Sequence, residues 1–424
     1  MSEISQDKPT IKLSRRERLR RKALESVERE RSKALERLKA RSDYYPPLDY
    51  FVSLFEGPEG LKGVAQRTGR EVAITMCLQA PIELFWALDY QPVRLRSGAY
   101  AAARSAPSRL PALMCPLLKA ILGAVDSGSI SMGSLAIIPT TCDWTSGLAS
   151  LGGFKDFSGL GLEIIEFPRR KGAARAAESW RNEVRGLWTF LTQRASKRLG
   201  PISLKEGRVR IIEAIKVIDR AREAFESLIS LRRQGQVPAH WFSLIADSFY
   251  LDRVERFTEK VNEASELFRG FKPYAEKGIF LSGSPVFFPN FKILNLLEEA
   301  RLTVLADDLC SGERILPKKV AVGDDDLEAL IDSLAESVHE GCLCPIFTEN
   351  KRRLGPVFEA QNQAPLKGLV FNLLKGCHPY EMDWLTLEEG LGETIMRLIK
   401  LETDYTSEDE GNLFTRLEAF GATL

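Results

Sequence analysis

The chain has 424 residues, a formal net charge of +1 and 44% hydrophobic residues, a composition typical of a globular protein with room for two or three packed domains. No stretch approaches the roughly 18 to 20 uncharged apolar residues of a membrane span, and the polar, charged N-terminus does not resemble a signal peptide. We therefore expect a cytoplasmic protein with no membrane partner, whose seven cysteines are thiols, metal ligands or catalytic groups and not disulfides.

The N-terminal segment is strongly basic. Residues 11–41 carry a net charge of +8, contain no Gly or Pro after Leu13, and space their apolar residues as a helix does. One interpretation is a surface for nucleic acid or an acidic membrane. The other is a solvated helix that packs along its own subunit or a partner. We favour the second and expect no nucleic-acid partner, because no aromatic residues interleave with the basic ones to stack on bases.

From residue 44 onward, short β-rich runs alternate with helical patterns, which predicts parallel sheets with crossover helices. The predicted strands are Arg70–Met76, Gly133–Pro139, Gly161–Phe167, Gly278–Gly283, Arg301–Asp307, Gly368–Leu374 and Met396–Glu402. Between 203 and 271 the β signals vanish and charged helical periodicity replaces them. The predicted fold is therefore α/β, with two Rossmann-like (flavodoxin-like) doubly wound lobes, a helical insertion and a basic N-terminal helix.

This pattern divides the chain into four parts. We place a basic helical extension at 1–43, a first α/β lobe at 44–202, a helical linker layer at 203–272 and a second α/β lobe at 273–424. Two doubly wound lobes that face each other leave a cleft between them, which is where such folds bind ligands.

Three cysteines stand where a strand-like run gives way to a turn: Cys115, Cys142 and Cys377. An open α/β sheet presents its functional edge at the carboxyl ends of its strands, so we expect these thiols to meet in the cleft. They are too widely spaced for a zinc knuckle, whereas thiolates are the standard ligands of iron–sulfur clusters. Three thiolates leave one iron of a 4Fe-4S cubane free for a substrate, a water or a bridging sulfide.

The other cysteines allow several interpretations. Cys77 is either a small buried hydrophobe or a residue that supports the cluster from behind its ligands. For Cys310 we favour a structural role. Cys342 and Cys344, with His339 upstream, resemble part of a zinc site that lacks a visible fourth ligand.

Three charged or titratable residues are candidates for chemistry near the cluster. His378 either donates a proton or hydrogen-bonds its own backbone or a cluster sulfur. Arg416 is a candidate to hold a carboxylate or a cluster-bound anion. Asp143 fits a helix cap better than a catalytic group. The sequence has no phosphate loop, and Gly159-Leu160-Gly161 lacks the third glycine of a dinucleotide fingerprint. We therefore expect no nucleotide on this chain, so that any ATP is hydrolysed by a separate protein.

Several motifs occur in an order that resembles the 2-hydroxyacyl-CoA dehydratase and benzoyl-CoA reductase superfamily. They are Met76–Leu84, Leu110–Lys119, Thr140–Asp143, Ser282–Pro285, Asp308–Gly312, Cys342–Pro345, Gly376–Tyr380, Leu401–Tyr405 and Glu410–Phe420. The set with Cys310, Cys342 and Cys344 is most similar to the single-subunit double-cubane cluster proteins, in which a homodimer joins two cubanes through a bridging sulfide. Ser284, where that branch tends to have cysteine, and Trp144–Gly147, in place of a more basic run, depart from the pattern.

The resemblance implies a cubane held by Cys115, Cys142 and Cys377, or a sulfide-bridged 8Fe-9S double cubane. It also implies an electron from an activator ATPase that carries its own iron–sulfur cluster. That electron would reduce an acyl-CoA thioester, an aromatic ring or a small inert molecule. The chain would act as a homodimer, or as a heterodimer with a homologous subunit, as in 2-hydroxyacyl-CoA dehydratase and benzoyl-CoA reductase. A different class of function is a non-catalytic electron-relay or tethering subunit.

Overall fold

The computed structural model contains two parallel four-stranded sheets surrounded by helices. It describes residues 14–56, 61–106, 110–130, 135–150, 161–274, 276–323, 326–348, 351–392 and 396–424. The first 13 residues of the predicted basic extension, and Gly159–Leu160, lie outside the described residues.

The first lobe is built on a sheet whose central strands are covered on both faces. Its strands are β1 Glu71–Thr75, β2 Tyr90–Arg94, β3 Leu135–Pro139 and β4 Gly161–Ile165, in the order β2-β1-β3-β4. Its helices are α2 Asp49–Ser53, α3 Leu61–Thr68, α4 Ile82–Ala87, α5 Tyr100–Arg104, α6 Pro116–Ser127, α7 Asp143–Ser150 and α8 Ala176–Leu199. Every residue of β2 and β3 is buried, as expected for a parallel sheet between helical layers.

Strand β2 is the one element of this sheet that the sequence analysis did not predict. It is five residues long and contains Pro92, which cannot donate a ladder hydrogen bond. The strand is nevertheless compatible with proline because it lies at the edge of the sheet and pairs only with β1.

The second lobe repeats the same strand order. Its strands are β5 Gly278–Gly283, β6 Thr303–Asp307, β7 Leu366–Leu374 and β8 Arg397–Thr403, in the order β6-β5-β7-β8. Its helices are α12 Lys292–Glu299, α13 Leu327–Gly341, α14 Gly355–Gln363, α15 His378–Leu391 and α16 Glu410–Ala422. The prediction of two Rossmann-like α/β lobes is therefore confirmed, whereas the boundaries proposed for the four parts remain predictions.

Three helices separate the two sheets in the sequence: α9 Leu204–Arg233, α10 Ala239–Ser248 and α11 Val254–Arg269. The 30 residues of α9 extend over about 45 Å. This helix packs on α4 in the first lobe and on β6 in the second, so the predicted helical layer joins the two lobes. None of the described helices combines the length and the apolar character needed to cross a bilayer.

The basic segment forms helix α1, Arg15–Lys39, which begins at a Ser14–Glu17 capping box. Its second half packs on the first lobe through buried apolar residues and two polar contacts. The Glu30 carboxylate accepts hydrogen bonds from the backbone N–H groups of Tyr100 and Ala101, and the Arg31 guanidinium donates to the Phe55 carbonyl. The first two turns are exposed.

Candidate functional site

Each of the three cysteines predicted to hold a cluster stands at the start of a helix. Cys115 and Cys377 are the N-cap residues of α6 and α15, and Cys142 directly precedes α7. The first turn of a helix has backbone N–H groups without intrahelical partners, and its dipole favours negative charge. The three positions are therefore suited to thiolates. We call Cys115, Cys142 and Cys377 the thiol trio.

Two members of the trio lie where the strand order of each sheet reverses. Cys142 follows β3 and Cys377 follows β7, the central strands at the two switch points. Cys115 differs from the prediction, because no strand precedes it. Residues 110–114 form a turn that leads from α5 to α6, and Pro111 in this turn lacks the N–H group that a ladder would need.

A close backbone contact brings Cys115 of the first lobe to Cys377 of the second. Gly376 has φ +73°, and a Cβ atom placed on it would lie 2.2 Å from the Leu113 carbonyl oxygen and 3.6 Å from the Cys115 nitrogen. Only glycine permits both this backbone conformation and this approach. The loops that carry Cys115 and Cys377 therefore touch, as expected for ligands of one group held in the cleft.

The thiols of the trio influence one another electrostatically. Burial raises the pKa of Cys115 to about 11, while the N–H groups of Leu117 and Leu118 act in the opposite direction. Burial and the nearby thiols of Cys115 and Cys142 raise the pKa of Cys377 to about 12. Burial therefore disfavours the thiolate form of both residues, and positive charge such as that of bound metal would stabilise it.

The trio fits an iron–sulfur cluster by the chemistry of its donors. Three soft thiols converge from both lobes at helix N-termini, and Cys115 is buried while Cys142 and Cys377 are partly buried. Among the described residues, no three His, Cys, Asp or Glu side chains are arranged as ligands of a single metal ion.

The four remaining cysteines form a second group, which we call the second thiol set: Cys77, Cys310, Cys342 and Cys344. Cys77 follows β1 and Cys310 follows β6, while Cys342 and Cys344 follow α13. The Cys310 thiol acts electrostatically on those of Cys77 and Cys342, and the Cys344 thiol is affected by Cys342 and Cys77. Four thiols from both lobes therefore lie near one another.

Cationic side chains surround the second thiol set. The Arg94 guanidinium donates to the Cys310 sulfur over 3.0 Å, and the Arg314 guanidinium is also near that thiol. Burial opposes ionisation of Cys310, but the two guanidinium groups lower its pKa below the usual range of a thiol. The Lys171 ammonium contacts the Cys342 carbonyl. These cations stabilise the thiolate form of Cys310, and the structural role expected from the sequence remains a prediction.

Buried arginines also fix the loop between Cys342 and Cys344. Arg314 and Arg353 both donate to the Leu343 carbonyl, over 2.6 and 3.1 Å. Arg353 is fully buried and forms 2.8 Å ion pairs with Asp308 and Asp383. The positions of these two thiols are therefore held by charged groups that are themselves buried and paired.

Cys77 links the two groups of thiols. Burial raises its pKa to about 12, and the thiols of Cys142 and Cys310 both add to this effect. Its sulfur lies 3.5 Å from the Thr141 hydroxyl. His339 does not join the thiols as the zinc interpretation requires, because its ring stacks on Phe167 and its Nδ1 lies 3.2 Å from Glu340.

The other candidate residues have surface positions. The His378 side chain is 66% exposed, and its Nδ1 lies 3.7 Å from Glu381. Arg416 is exposed and donates to the Lys400 carbonyl in edge strand β8. Asp143 begins α7 and pairs with Arg169, in line with a role at the helix start. The roles proposed for His378 and Arg416 remain predictions.

The sequence analysis did not identify Arg94, which lies at the end of the unpredicted strand β2. It also missed the buried Tyr405 hydroxyl, which is close to the trio thiols. A residue that directly follows a strand is a usable signal for both, but for Arg94 the strand itself has to be recognised first.

Comparison with known proteins gives a consistent picture. A family model described as 2-hydroxyglutaryl-CoA dehydratase, D-component, matches residues 77–424. The (R)-phenyllactyl-CoA dehydratase beta subunit of Clostridium sporogenes is 23% identical over 363 residues, covering 85% of this chain and 93% of the relative. The (R)-2-hydroxyglutaryl-CoA dehydratase subunit beta of Acidaminococcus fermentans is 24% identical over 218 residues, covering 50% and 57%. All seven cysteines lie within the matched residues, and helix α1 lies outside them.

Proposed function

Because the chain belongs to the 2-hydroxyglutaryl-CoA dehydratase D-component family, we propose that it is an iron–sulfur enzyme that uses low-potential electrons from a separate ATPase. Membership confirms the superfamily resemblance that the sequence motifs indicated. Family membership does not extend to the double-cubane branch, the type of cluster or the activator, and these three points are what we propose.

The adjacency of the two thiol sets is the observation that carries this proposal. The Cys77 sulfur of the second set lies 3.5 Å from the hydroxyl of Thr141, the residue that directly precedes Cys142 of the trio. Thiolates from two adjacent sets suit two joined cubanes better than a single one. We therefore assign both halves of an 8Fe-9S group to the same chain, with Cys115, Cys142 and Cys377 holding one half. The second thiol set would hold the other half.

The protein's own residues would prepare this site in three ways. Helix N-termini and guanidinium groups compensate the negative charge of the thiolates. Burial between two lobes keeps water away from a strongly reducing group. The ion pairs of Arg353 keep the Cys342–Cys344 loop in place. When bound, an iron–sulfur cluster of this kind would take up single electrons and pass them to substrate.

The electron donor has to approach from outside, because the sequence contains no nucleotide-binding motif of its own. The exposed first turns of α1 carry Arg15, Arg16 and Arg18, which suits docking of an acidic partner surface. We assign this helix to contact with the activator ATPase or with a sister subunit.

Metal analysis of anaerobically purified protein tests the proposal. We expect about eight irons and nine acid-labile sulfides per chain, with an EPR signal after dithionite reduction. About four irons per chain would mean that only the trio holds a cluster, a single cubane. A chain without iron, or with one zinc, would contradict the proposed function.

Two single substitutions separate the thiol sets. We expect Cys142→Ala and Cys310→Ala each to reduce the iron to about half while circular dichroism remains unchanged, because each removes a ligand from a different half. Full iron retention in Cys310→Ala would show that Cys310 is structural, as the sequence analysis favoured. Full retention of iron in both variants would contradict the assignment of both thiol sets as cluster ligands.

A second candidate function is supported by the names of the relatives. Both are beta subunits of acyl-CoA dehydratases, so this chain would be one subunit of a heterodimer that dehydrates a 2-hydroxyacyl-CoA. Purification with an added affinity tag distinguishes the candidates. A homologous second subunit that co-purifies in equal amount supports the heterodimer, whereas a homodimer with about eight irons per chain supports the first proposal.

A further inference from the structure

One buried polar group near the thiol trio has no hydrogen-bond partner among the described residues. The Tyr405 side chain is 8% exposed, and its hydroxyl oxygen is fully buried without a partner. Leaving a hydroxyl unpaired in the interior costs about 1–3 kcal/mol, so such a group in a folded protein calls for an explanation. Bound ligand atoms that accept a hydrogen bond are one such explanation.

The surroundings of Tyr405 indicate where that acceptor lies. The charged or titratable groups that affect its hydroxyl are the thiols of Cys115 and Cys377 and the Glu30 carboxylate. Both Glu30 oxygens are already engaged by the N–H groups of Tyr100 and Ala101. Each Glu30 oxygen keeps a second lone pair, so strand geometry is the stronger guide: Cys377 follows β7, which pairs along its length with β8, the strand that Tyr405 follows.

Strand order places a second hydroxyl on the other side of Cys377. Ser284 follows β5, Cys377 follows β7 and Tyr405 follows β8, and these three strands are adjacent in the sheet. The Ser284 hydroxyl accepts the Leu374 N–H over 3.0 Å, so its own proton is free, and it donates to the Cys377 thiol. Cys377 thus lies between two hydroxyl groups that come from neighbouring strands.

We propose that the Tyr405 hydroxyl donates a hydrogen bond to sulfur at the Cys115–Cys377 side of the trio and, together with Ser284, sets the reduction potential there. This inference rests on the proposed function, because it requires that the trio holds an iron–sulfur group. Tyr405 acts through the sulfur atoms and is a positioning residue, not a catalytic one.

The direction of the effect follows from charge. Reduction adds one negative charge to the cluster, and a hydrogen bond to sulfur stabilises the more negative state. The hydroxyl therefore raises the reduction potential, and its removal makes the reduced state harder to reach. Tyr405 follows β8, which is hydrogen-bonded along its length to β7. The position of the Tyr405 hydroxyl relative to Cys377 is therefore fixed by the sheet.

The test is a potentiometric titration of Tyr405→Phe, followed by EPR. We expect unchanged iron content and an approximately tenfold lower ratio of reduced to oxidised cluster at a given potential, which for one electron corresponds to about 59 mV. Deuterium exchange provides a second measurement: a strongly coupled exchangeable proton in the reduced wild-type spectrum should disappear in the variant. Tyr90→Phe is the matched control, because Tyr90 is also buried but lies against the Arg198 guanidinium in the first lobe.

The outcomes separate this inference from the proposed function. An iron-loaded Tyr405→Phe protein with wild-type potential and an unchanged exchangeable proton overturns the role of Tyr405 and leaves the proposed function standing. A wild-type chain without iron overturns both. Ser284→Ala is a second variant with the same expected direction. Tyr405→Phe is the cleaner change, since Ser284→Ala also deprives the Leu374 N–H of its acceptor.

Discussion

Individual residues give the two thiol sets different electrostatic surroundings. The trio has mainly neutral donors, namely helix N–H groups, the Ser284 hydroxyl and, by our proposal, the Tyr405 hydroxyl, with Lys119 as a cation near Cys115. The second thiol set instead faces the full positive charges of Arg94, Arg314 and Lys171. The reduction potential of a cluster depends on nearby charge and hydrogen bonding. Two chemically equal cubanes held by these sets would therefore have different potentials, and the cubane at the second thiol set would be the easier one to reduce.

A buried carboxyl group in the first lobe makes a separate prediction about stability. Glu83 on α4 is 2% exposed, and one of its oxygens has no hydrogen-bond partner in the described part of the chain. Burial raises its pKa from 4.5 to about 7. A raised pKa means that the protonated form is favoured by folding. Its contribution to stability is complete below about pH 4.5 and is lost as the pH rises through about 7.

We therefore expect Glu83→Gln to stabilise the protein at neutral and alkaline pH but not at pH 4. At pH 8.5 the variant should gain on the order of 3 kcal/mol in the free energy of unfolding, because it removes a buried charge, and at pH 4 the two proteins should be nearly equal. Denaturant unfolding at both pH values measures this. Glu259→Gln, an exposed change on α11, is the control, and an equal gain at both pH values would contradict the prediction.

At the scale of elements, the turns that begin α6, α7 and α15 position the trio, and a single glycine brings two of these turns together. The Gly376 turn ends β7 and the Leu113 turn begins α6, and no side chain fits between them. The geometry of the site therefore depends on a backbone contact between lobes that packing of side chains cannot replace.

Gly376→Ala should consequently damage the trio without unfolding the protein. The added Cβ would meet the Leu113 carbonyl oxygen at 2.2 Å, and the left-handed backbone costs about 1–3 kcal/mol for a residue with a side chain. We expect loss of about half of the iron, measured together with circular dichroism. Gly411→Ala in α16, where no atom lies within 4 Å, is the control. Full iron in Gly376→Ala would argue against a cluster at the trio.

Most elements could be predicted from the sequence because apolar runs and helical periodicity report burial directly. Strands β1, β5 and β7 lie within or close to the predicted ranges. Strand β2 could not be recognised, because a short edge strand with proline resembles a loop. The turn before Cys115 was mistaken for a strand end for the opposite reason, since Leu110–Met114 is apolar but contains Pro111.

At the scale of the whole molecule, both thiol sets combine cysteines from both lobes, and α9 is the long helix that packs on each lobe. The trio cysteines stand out in the sequence because each follows an apolar run at a turn, which is a local signal. Their role as cluster ligands remains a prediction. The second thiol set could not be recognised in this way, since it depends on contacts between Cys77 and cysteines more than 200 residues later in the chain. Long-range contacts of that kind are not visible in local periodicity.

A group bound by both lobes should also stabilise the whole fold. Because a ligand that binds only the folded state adds to its stability, removal of iron with a chelator should lower the unfolding temperature and increase cleavage by protease. Differential scanning calorimetry before and after chelation measures this. In the double variant Cys142→Ala/Cys310→Ala, chelation should have a much smaller effect. An unchanged unfolding temperature in the wild-type protein would contradict attachment of the group to both lobes.

The position of Cys377 near the end of the chain has a consequence for biosynthesis. Cys115 and Cys142 leave the ribosome early, and the third thiol follows 235 residues after Cys142, which takes roughly 10 to 50 s at ordinary rates of translation. During that interval the first lobe can fold, but its two thiols lack their third partner. Assembly of the metal group that we propose for the trio would therefore follow synthesis of Cys377 and would not be completed on the first lobe alone.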